Sequence, residues 1–296
     1  MIRQSVWLSA VPINSLKMTV GSAWQKATTV LIPAYPQRAR RDARLLLGHV
    51  LRWESAYLLA HLDDPITTRA IRELEPLLEQ RGRGVPLQYL LGKQEFYGLP
   101  VAVGPGVLIP RPETELLVEQ ALTLWEPQLP LRLADLGCGS GAIALALAFL
   151  FPRATIEAVE LDPTALSWAA KNVRELGFSQ GITLHLGDFN HSLTGGYHGI
   201  FCNPPYIPSG EIPRLPREVQ QEPWLALDGG VDGLDFYPPL ANIARRHLEP
   251  GGYLLVEIGI GQSEAVVHIF ASAGLHSVNI INDLAGIPRL VQGQQH

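Results

Sequence analysis

The chain is poor in cysteine, with Cys138 and Cys202 the two thiols in 296 residues. Two thiols do not make a disulfide scaffold, and this usage fits a reducing compartment, so the expected location is the cytoplasm. Long apolar runs are missing as well. No stretch approaches the roughly 20 residues of a membrane-spanning helix, and no membrane partner is expected. Val6-Trp7-Leu8 is soon interrupted by Pro12, Asn14 and Lys17, and no cleavage pattern follows, which argues against a signal peptide. Charge is scarce: 17% of residues, with a net charge of −5. That balance speaks against a broad, sequence-blind grip on a nucleic-acid backbone, and no stable nucleic-acid binding is expected. Metal-ligand spacing is absent. His185, His191 and His198 recur across strand, loop and strand without a cysteine or carboxylate partner at zinc spacing, so no metal is expected. No internal repeat or low-complexity tract breaks the pattern. What the chain does have is apolar surface to bury: 47% hydrophobic residues suit a filled core, and the length suits about two domains.

The chain changes character along its length. Residues 1–20 fit none of the later pattern and read as a disordered extension. Residues 21–84 read as a small helical domain, with apolar residues at helical spacing in 42–51 and further short helices over 54–62 and 68–81. Arg38, Arg40, Arg41 and Arg44 cluster there as a solvated helix face or a docking patch. Residues 85–107 mix aromatic and β-branched residues with glycine and proline and read as a linking hairpin. From 108 onward the chain alternates. Strands are predicted near 131–136, 155–160, 181–186, 198–203 and 252–258, with two more near 276–281 and 288–292. Helices are predicted near 141–150, 163–176, 236–248 and 262–273. Such alternation means an α/β fold: a doubly wound, mostly parallel seven-stranded sheet of Rossmann-like type, its last two strands closing as a hairpin.

Two motifs carry chemistry. The strand candidate Leu131–Leu136 runs into Gly137-Cys138-Gly139-Ser140-Gly141, and a helical run follows. Strand, glycine turn and helix open a nucleotide-binding βαβ unit, because glycines permit the sharp turn and a close ligand approach. A second strand ends in Glu160, roughly 20 residues beyond the glycines, where ribose hydroxyls are held in such units. A dinucleotide would prefer a third glycine where Ala142 stands. Asp135, just before the loop and placed to reach a ligand amine, favours S-adenosylmethionine instead. The second motif is Asn203-Pro204-Pro205-Tyr206, at the end of the apolar run Gly199–Cys202. The carboxyl edge of a parallel sheet is where ligands bind. Prolines remove N–H donors, so the turn presents acceptors: the Asn203 side-chain oxygen and the Pro204 carbonyl. A planar NH2 group is the matching guest, with Tyr206 as a ring for it to lie against. Taken alone, the same four residues also make a plain surface turn. Leu108–Glu115 reads either as an ordinary helix start, with its prolines and acids, or as a loop walling the crevice.

In combination these pieces resemble one family. Gly137–Gly141, Glu160 and Asn203–Tyr206 are features of class I S-adenosylmethionine methyltransferases. Leu108–Glu115, Glu222–Gly230, Asp232–Asp235 and Asp283–Gly286 narrow the likeness to the HemK/PrmC family, which methylates a glutamine side chain in class-1 peptide release factors. The resemblance runs from about residue 21 onward. It implies that S-adenosylmethionine is bound by Gly137, Cys138, Gly139, Ser140, Gly141, Glu160, Asp188, Phe189 and Asn203. It implies that Asn203, Pro204, Pro205 and Tyr206 hold the glutamine, with Asn203, Pro204 and Tyr206 carrying catalysis. It also implies a release-factor partner, and a monomer is expected. The sequence departs from the family pattern at Glu160, where aspartate is commoner, and at Phe189, where some members carry tryptophan. Ile287-Pro288-Arg289 replaces a more charged stretch, far in sequence from the site.

Overall fold

The computed structural model describes residues 18–296. The chain divides into two compact units between Leu91 and Gly92. The first is helical: α1 (Val20–Leu31), α2 (Ala39–Leu51), α3 (Ser55–Ala60), α4 (Thr68–Gly82) and the short α5 (Leu87–Leu91). Thr19 caps α1 through a reciprocal box with Ser22, and Val20, Ala23, Trp24, Ala27 and Leu31 line its buried stripe. The helical unit therefore begins before residue 21, and Met18 and Thr19 already take part in it: the Met18 carbonyl accepts from Ile66. The rest of the expected extension lies outside the described residues. Arg81 of α4 is almost fully buried and donates to Asp42 of α2 at 2.8–2.9 Å, with the Tyr35 ring 3.7 Å below its guanidinium. Arg38, Arg40 and Arg41 stay exposed.

The second unit opens with a two-stranded hairpin, β1 (Lys93–Phe96) and β2 (Leu99–Ala102). The hairpin is part of this unit because Asn172 pins it: the Asn172 side chain accepts from the Ala102 N–H at 2.8 Å and donates to the Ala102 and Ser140 carbonyls at 2.9 Å. A 3-10 turn over Pro112–Thr114 leads into α6 (Glu115–Leu124). Then follow β3 (Arg132–Leu136), α7 (Ala142–Leu150), β4 (Thr155–Glu160), α8 (Pro163–Glu175), β5 (Ile182–Leu186), α9 (Phe189–Ser192) and β6 (Tyr197–Cys202). The chain ends with α10 (Tyr237–His247), β7 (Leu248–Glu257), α11 (Ser263–Ser272), β8 (His276–Asn282) and β9 (Pro288–Gln294). The seven-stranded sheet has the order β5-β4-β3-β6-β7-β9-β8, and β9 runs antiparallel to both of its neighbours.

The central strands are apolar because both faces are covered. Helix α7 is buried from Ala142 through Ala148, and β6 and β7 share a core with α10 and α11. Strand order reverses between β3 and β6, so the carboxyl ends of these strands open a crevice at the switch point of the sheet. Among the described residues, no helix is long and apolar enough to cross a membrane.

Candidate active site

The crevice is a cavity whose lining residues all lie between Gly106 and Phe236. Its floor is the glycine loop. Gly137, Gly139 and Gly141 all take positive φ, at 70°, 55° and 79°, where a side chain is strained. The loop is tied to β4 by Gly137 and Cys138 N–H bonds to the Val159 carbonyl, at 2.9 and 3.0 Å. A Cβ placed on Gly137 would meet no atom within 4 Å, so the loop leaves a cradle there. Glu160, at the end of β4, lines the same cavity. Its carboxylate accepts from the Gly139 N–H at 2.8 Å and from the Asp162 N–H at 2.9 Å. Each carboxylate oxygen has a second lone pair, so acceptor capacity remains for hydroxyl groups of a guest. Ile143, Leu161 and Ala165 supply apolar wall, and Phe189 faces the cavity together with Phe236, their rings 6.4 Å apart. A glycine cradle, a carboxylate and an apolar, aromatic wall fit a nucleoside with a charged amino-acid tail such as S-adenosylmethionine.

Beside the cradle, on the neighbouring strand, stands the turn after β6, for Leu136 and Cys202 are register partners. Asn203, Pro204 and Pro205 line the cavity. Asn203 Nδ2 donates to Thr114 Oγ1 at 3.1 Å, and the Thr114 hydroxyl donates to Glu257 Oε2 at 2.6 Å. With its NH2 group so engaged, Asn203 keeps Oδ1 for a guest. Among the described residues, no backbone N–H reaches the Pro204 carbonyl. The turn is held rigidly from behind. Gln262 Nε2 donates to the Tyr206 carbonyl at 2.9 Å, while its Oε1 accepts from the Tyr237 hydroxyl and the Gly259 N–H.

Three expected site residues fall outside the lining. Tyr206 packs against the core shared by β6, β7 and α10, and its hydroxyl donates to Glu257 Oε1 at 3.2 Å. Burial pushes its phenol far above the ordinary range. Its hydroxyl end is thus tied behind the turn. Gly141 forms the N-terminal cap of α7, where its job is the turn itself. Asp188 is exposed just before α9, and Phe189 alone of the pair reaches the cavity. Asp135 is not placed to reach a ligand amine either. It is fully buried within β3, its Oδ2 accepting from the Ala144 N–H at 3.0 Å and its Oδ1 without a partner. Burial lifts its carboxyl to about 7. Glu257 is also lifted to about 7 by burial, against the hydrogen bonds from Thr114 and Tyr206.

The segment 108–115 does wall the cavity, through Leu108, Pro110 and Thr114. It is stapled to the loop after residue 221: Glu222 accepts from the Ile109 N–H at 3.0 Å and from Arg111 at 2.6 Å. Burial raises the Glu222 carboxyl, and the Arg111 charge opposes the rise. The roles of Thr114, Glu257 and Gln262 escape sequence reasoning. Thr114 lies inside a segment that already draws notice, but its partner sits 143 positions away at the end of an ordinary apolar strand.

Comparison with known proteins agrees with this geometry. Residues 22–92 match the PrmC N-terminal domain, and residues 112–214 match the methyltransferase small domain. A release factor glutamine methyltransferase from Moorella thermoacetica is 41% identical over 92% of this chain and 97% of its own length. One from Geobacter sulfurreducens is 39% identical over 87% of this chain and 90% of its own. A crystal structure of a methyltransferase from Pyrococcus furiosus shares the fold, with a TM-score of 0.50 at 18% identity, over 67% of this chain and 89% of that one. The chain belongs to the release factor glutamine methyltransferase family.

Proposed function

We propose that Asn203 Oδ1 and the Pro204 carbonyl accept the two N–H bonds of a glutamine side-chain amide and so aim its nitrogen at the methyl donor. The protein is an S-adenosylmethionine-dependent protein-(glutamine-N5) methyltransferase acting on a release factor. The observation that carries the residue roles is the placement of the Asn203 turn: it lines the same cavity beside the glycine cradle, with its amide nitrogen donating to Thr114.

An amide nitrogen is a poor nucleophile, because its lone pair is delocalised into the carbonyl. The bound cofactor supplies a sulfonium methyl, already strongly electrophilic. The protein's own residues therefore work by orientation and charge placement. Two fixed acceptors would hold the amide plane by its two N–H bonds, leave the nitrogen lone pair, normal to that plane, to face the methyl, and stabilise the positive charge that grows on nitrogen. The N–H proton becomes acidic as the methyl transfers, so no strong base is needed in the cavity. Gly137, Cys138, Gly139 and Ser140 would cradle the methionine part, Glu160 the ribose hydroxyls, and Phe189 the adenine. Tyr206 acts behind the turn.

A class-1 release factor is the preferred substrate in this reading, and the first unit provides surface for docking it, since a protein partner needs more area than the cavity offers. The enzyme works as a monomer in the cytoplasm, without stable binding to nucleic acid or membrane. The test is methyl transfer from labelled S-adenosylmethionine to a purified class-1 release factor, with a Gln→Ala change at the acceptor position as control. Label that disappears in the control supports glutamine methylation. Label that persists, or appears on RNA or DNA instead, removes the proposed guest.

A further inference from the structure

We infer that Thr114 and Glu257 form an orientation lock for the Asn203 amide, fixing which of its two ends faces the substrate. This rests on the reading of Asn203 as an acceptor for the glutamine NH2. An asparagine amide has two ends of nearly equal shape and opposite chemistry: the oxygen accepts and the nitrogen donates. Turned by 180° about its last torsion, Asn203 would present N–H groups to the N–H groups of the substrate, and the guest would be repelled.

The lock works by counting protons. The Thr114 hydroxyl has one, and Glu257 Oε2 at 2.6 Å takes it. Toward Asn203 the Thr114 oxygen has lone pairs only, so it accepts Nδ2 at 3.1 Å and offers nothing to Oδ1. Glu257 is itself held from the other side, its Oε1 accepting from the Tyr206 hydroxyl at 3.2 Å. Thr114 is 4% and Glu257 3% exposed, so water is shut out as a competing partner. The two carboxylate oxygens thus serve the two ends of one motif: Oε2 orients Asn203 through Thr114, and Oε1 anchors Tyr206. Thr114 and Glu257 are positioning residues in this scheme, and the relay joins three separate pieces of chain: the turn before α6, the end of β6 and the end of β7.

The test is a double-mutant cycle on methyl transfer to the release factor, run near pH 8.5 where Glu257 is ionised, with kcat and the KM for S-adenosylmethionine measured separately. Thr114→Val keeps the shape and removes the hydroxyl; kcat is expected to fall about tenfold, the worth of one good hydrogen bond, with KM for the cofactor little changed. Thr114→Ser restores most of the rate. Glu257→Leu, which takes away the acceptor from outside the cavity, lowers kcat in the same direction. In the Asn203→Ala background Thr114→Val has nothing left to orient and costs no more rate, while Glu257→Leu costs less than it does in the wild type, keeping only the part that acts through Tyr206. Wild-type kcat in Thr114→Val and Glu257→Leu overturns the lock, and so does full additivity with Asn203→Ala. Should Thr114→Val fail to fold, as judged by S-adenosylhomocysteine binding, Glu257→Leu carries the cycle. Near-normal turnover in Asn203→Ala alone is a different result: it removes the acceptor role of Asn203 itself, whatever Thr114 does.

Discussion

At the scale of single residues, the site depends on polar atoms held in an apolar crevice. In the proposed role, removing the acceptor at Asn203 strips a contact that grows stronger as charge develops, which is worth on the order of 3 kcal/mol, or about a hundredfold in rate. Asn203→Ala is therefore expected to keep its affinity for S-adenosylhomocysteine, measured by calorimetry, and to lose about that factor in labelled methyl transfer. A second consequence concerns pH. Burial lifts Asp135 and Glu257 from the ordinary carboxylate range to about 7. Between that range and about 7 the folded chain holds protons that the unfolded chain has released. Their contribution to stability is thus full at low pH and is lost as pH rises through about 7. The melting temperature should fall on going from about pH 5.5 to about pH 8, and Asp135→Asn, which keeps an acceptor for Ala144, should flatten that slope. A slope unchanged in the variant would show that Asp135 is ionised in the fold throughout. That Asn203, Glu160 and the glycines stand at the sheet edge was legible from their neighbours in sequence, because a strand and a turn announce such an edge. The placement of the Asp135 and Tyr206 side chains was not legible. Sequence shows that a polar residue stands near an edge but not which way its side chain turns, and here one lies under α7 and the other behind the turn it was expected to serve.

Elements explain why the site keeps its shape. The turn after β6 is wedged between two loops, and the packing leaves no room for a side chain on the facing strand of loop. A Cβ on Gly229 would stand 2.8 Å from Tyr206 Cα and 2.9 Å from both the Pro205 oxygen and Gly233 Cα. All three are backbone atoms, so the strain cannot be relieved by a rotamer change. Gly229→Ala is expected to destabilise the protein by about 1–3 kcal/mol and to displace the turn. Methyl transfer should then drop at least as far as in Asn203→Ala, while affinity for the cofactor changes less, since the cradle belongs to β3 and β4. Full activity in Gly229→Ala would mean that the turn tolerates movement that the proposed geometry forbids. The alternation of strand and helix made the second unit legible, including the closing hairpin that sets β9 against β7 and β8. The lining contributed by Leu225 and Ala226 was not, for a physical reason. That stretch is a chain of short turns with no apolar period, and it finds its place through staples such as Glu222 to Arg111 and Asp228 to Ser209 and Trp224. Asn172 was missed on the same grounds. A lone asparagine in a helix looks like solvent-facing polarity, and only the fold reveals it closing the hairpin onto the glycine loop.

On the scale of the whole molecule, the work is divided between two cores. The helical unit has its own apolar cluster, from Val20 in α1 to Leu87 in α5, and it carries its own buried ion pair. The sheet unit has another, built on β3, β6 and β7 with α10 and α11. Every residue lining the cavity belongs to the second unit. A chain of about 200 residues with one sheet and both faces covered is within the range that folds alone. The fragment 92–296 is therefore expected to fold and to bind S-adenosylhomocysteine with an affinity within a few-fold of the full chain, as about 1 kcal/mol or less separates them. Its turnover on a release factor should suffer through KM if the helical unit docks the factor as proposed, while single-turnover chemistry at saturating factor stays near that of the full chain. Calorimetry and single-turnover label transfer on the fragment separate these effects. Normal KM with lost chemistry would move the helical unit from docking to the reaction itself. Lost cofactor binding in a folded fragment would mean that the cavity, complete in its lining residues, still needs the first unit to hold its shape.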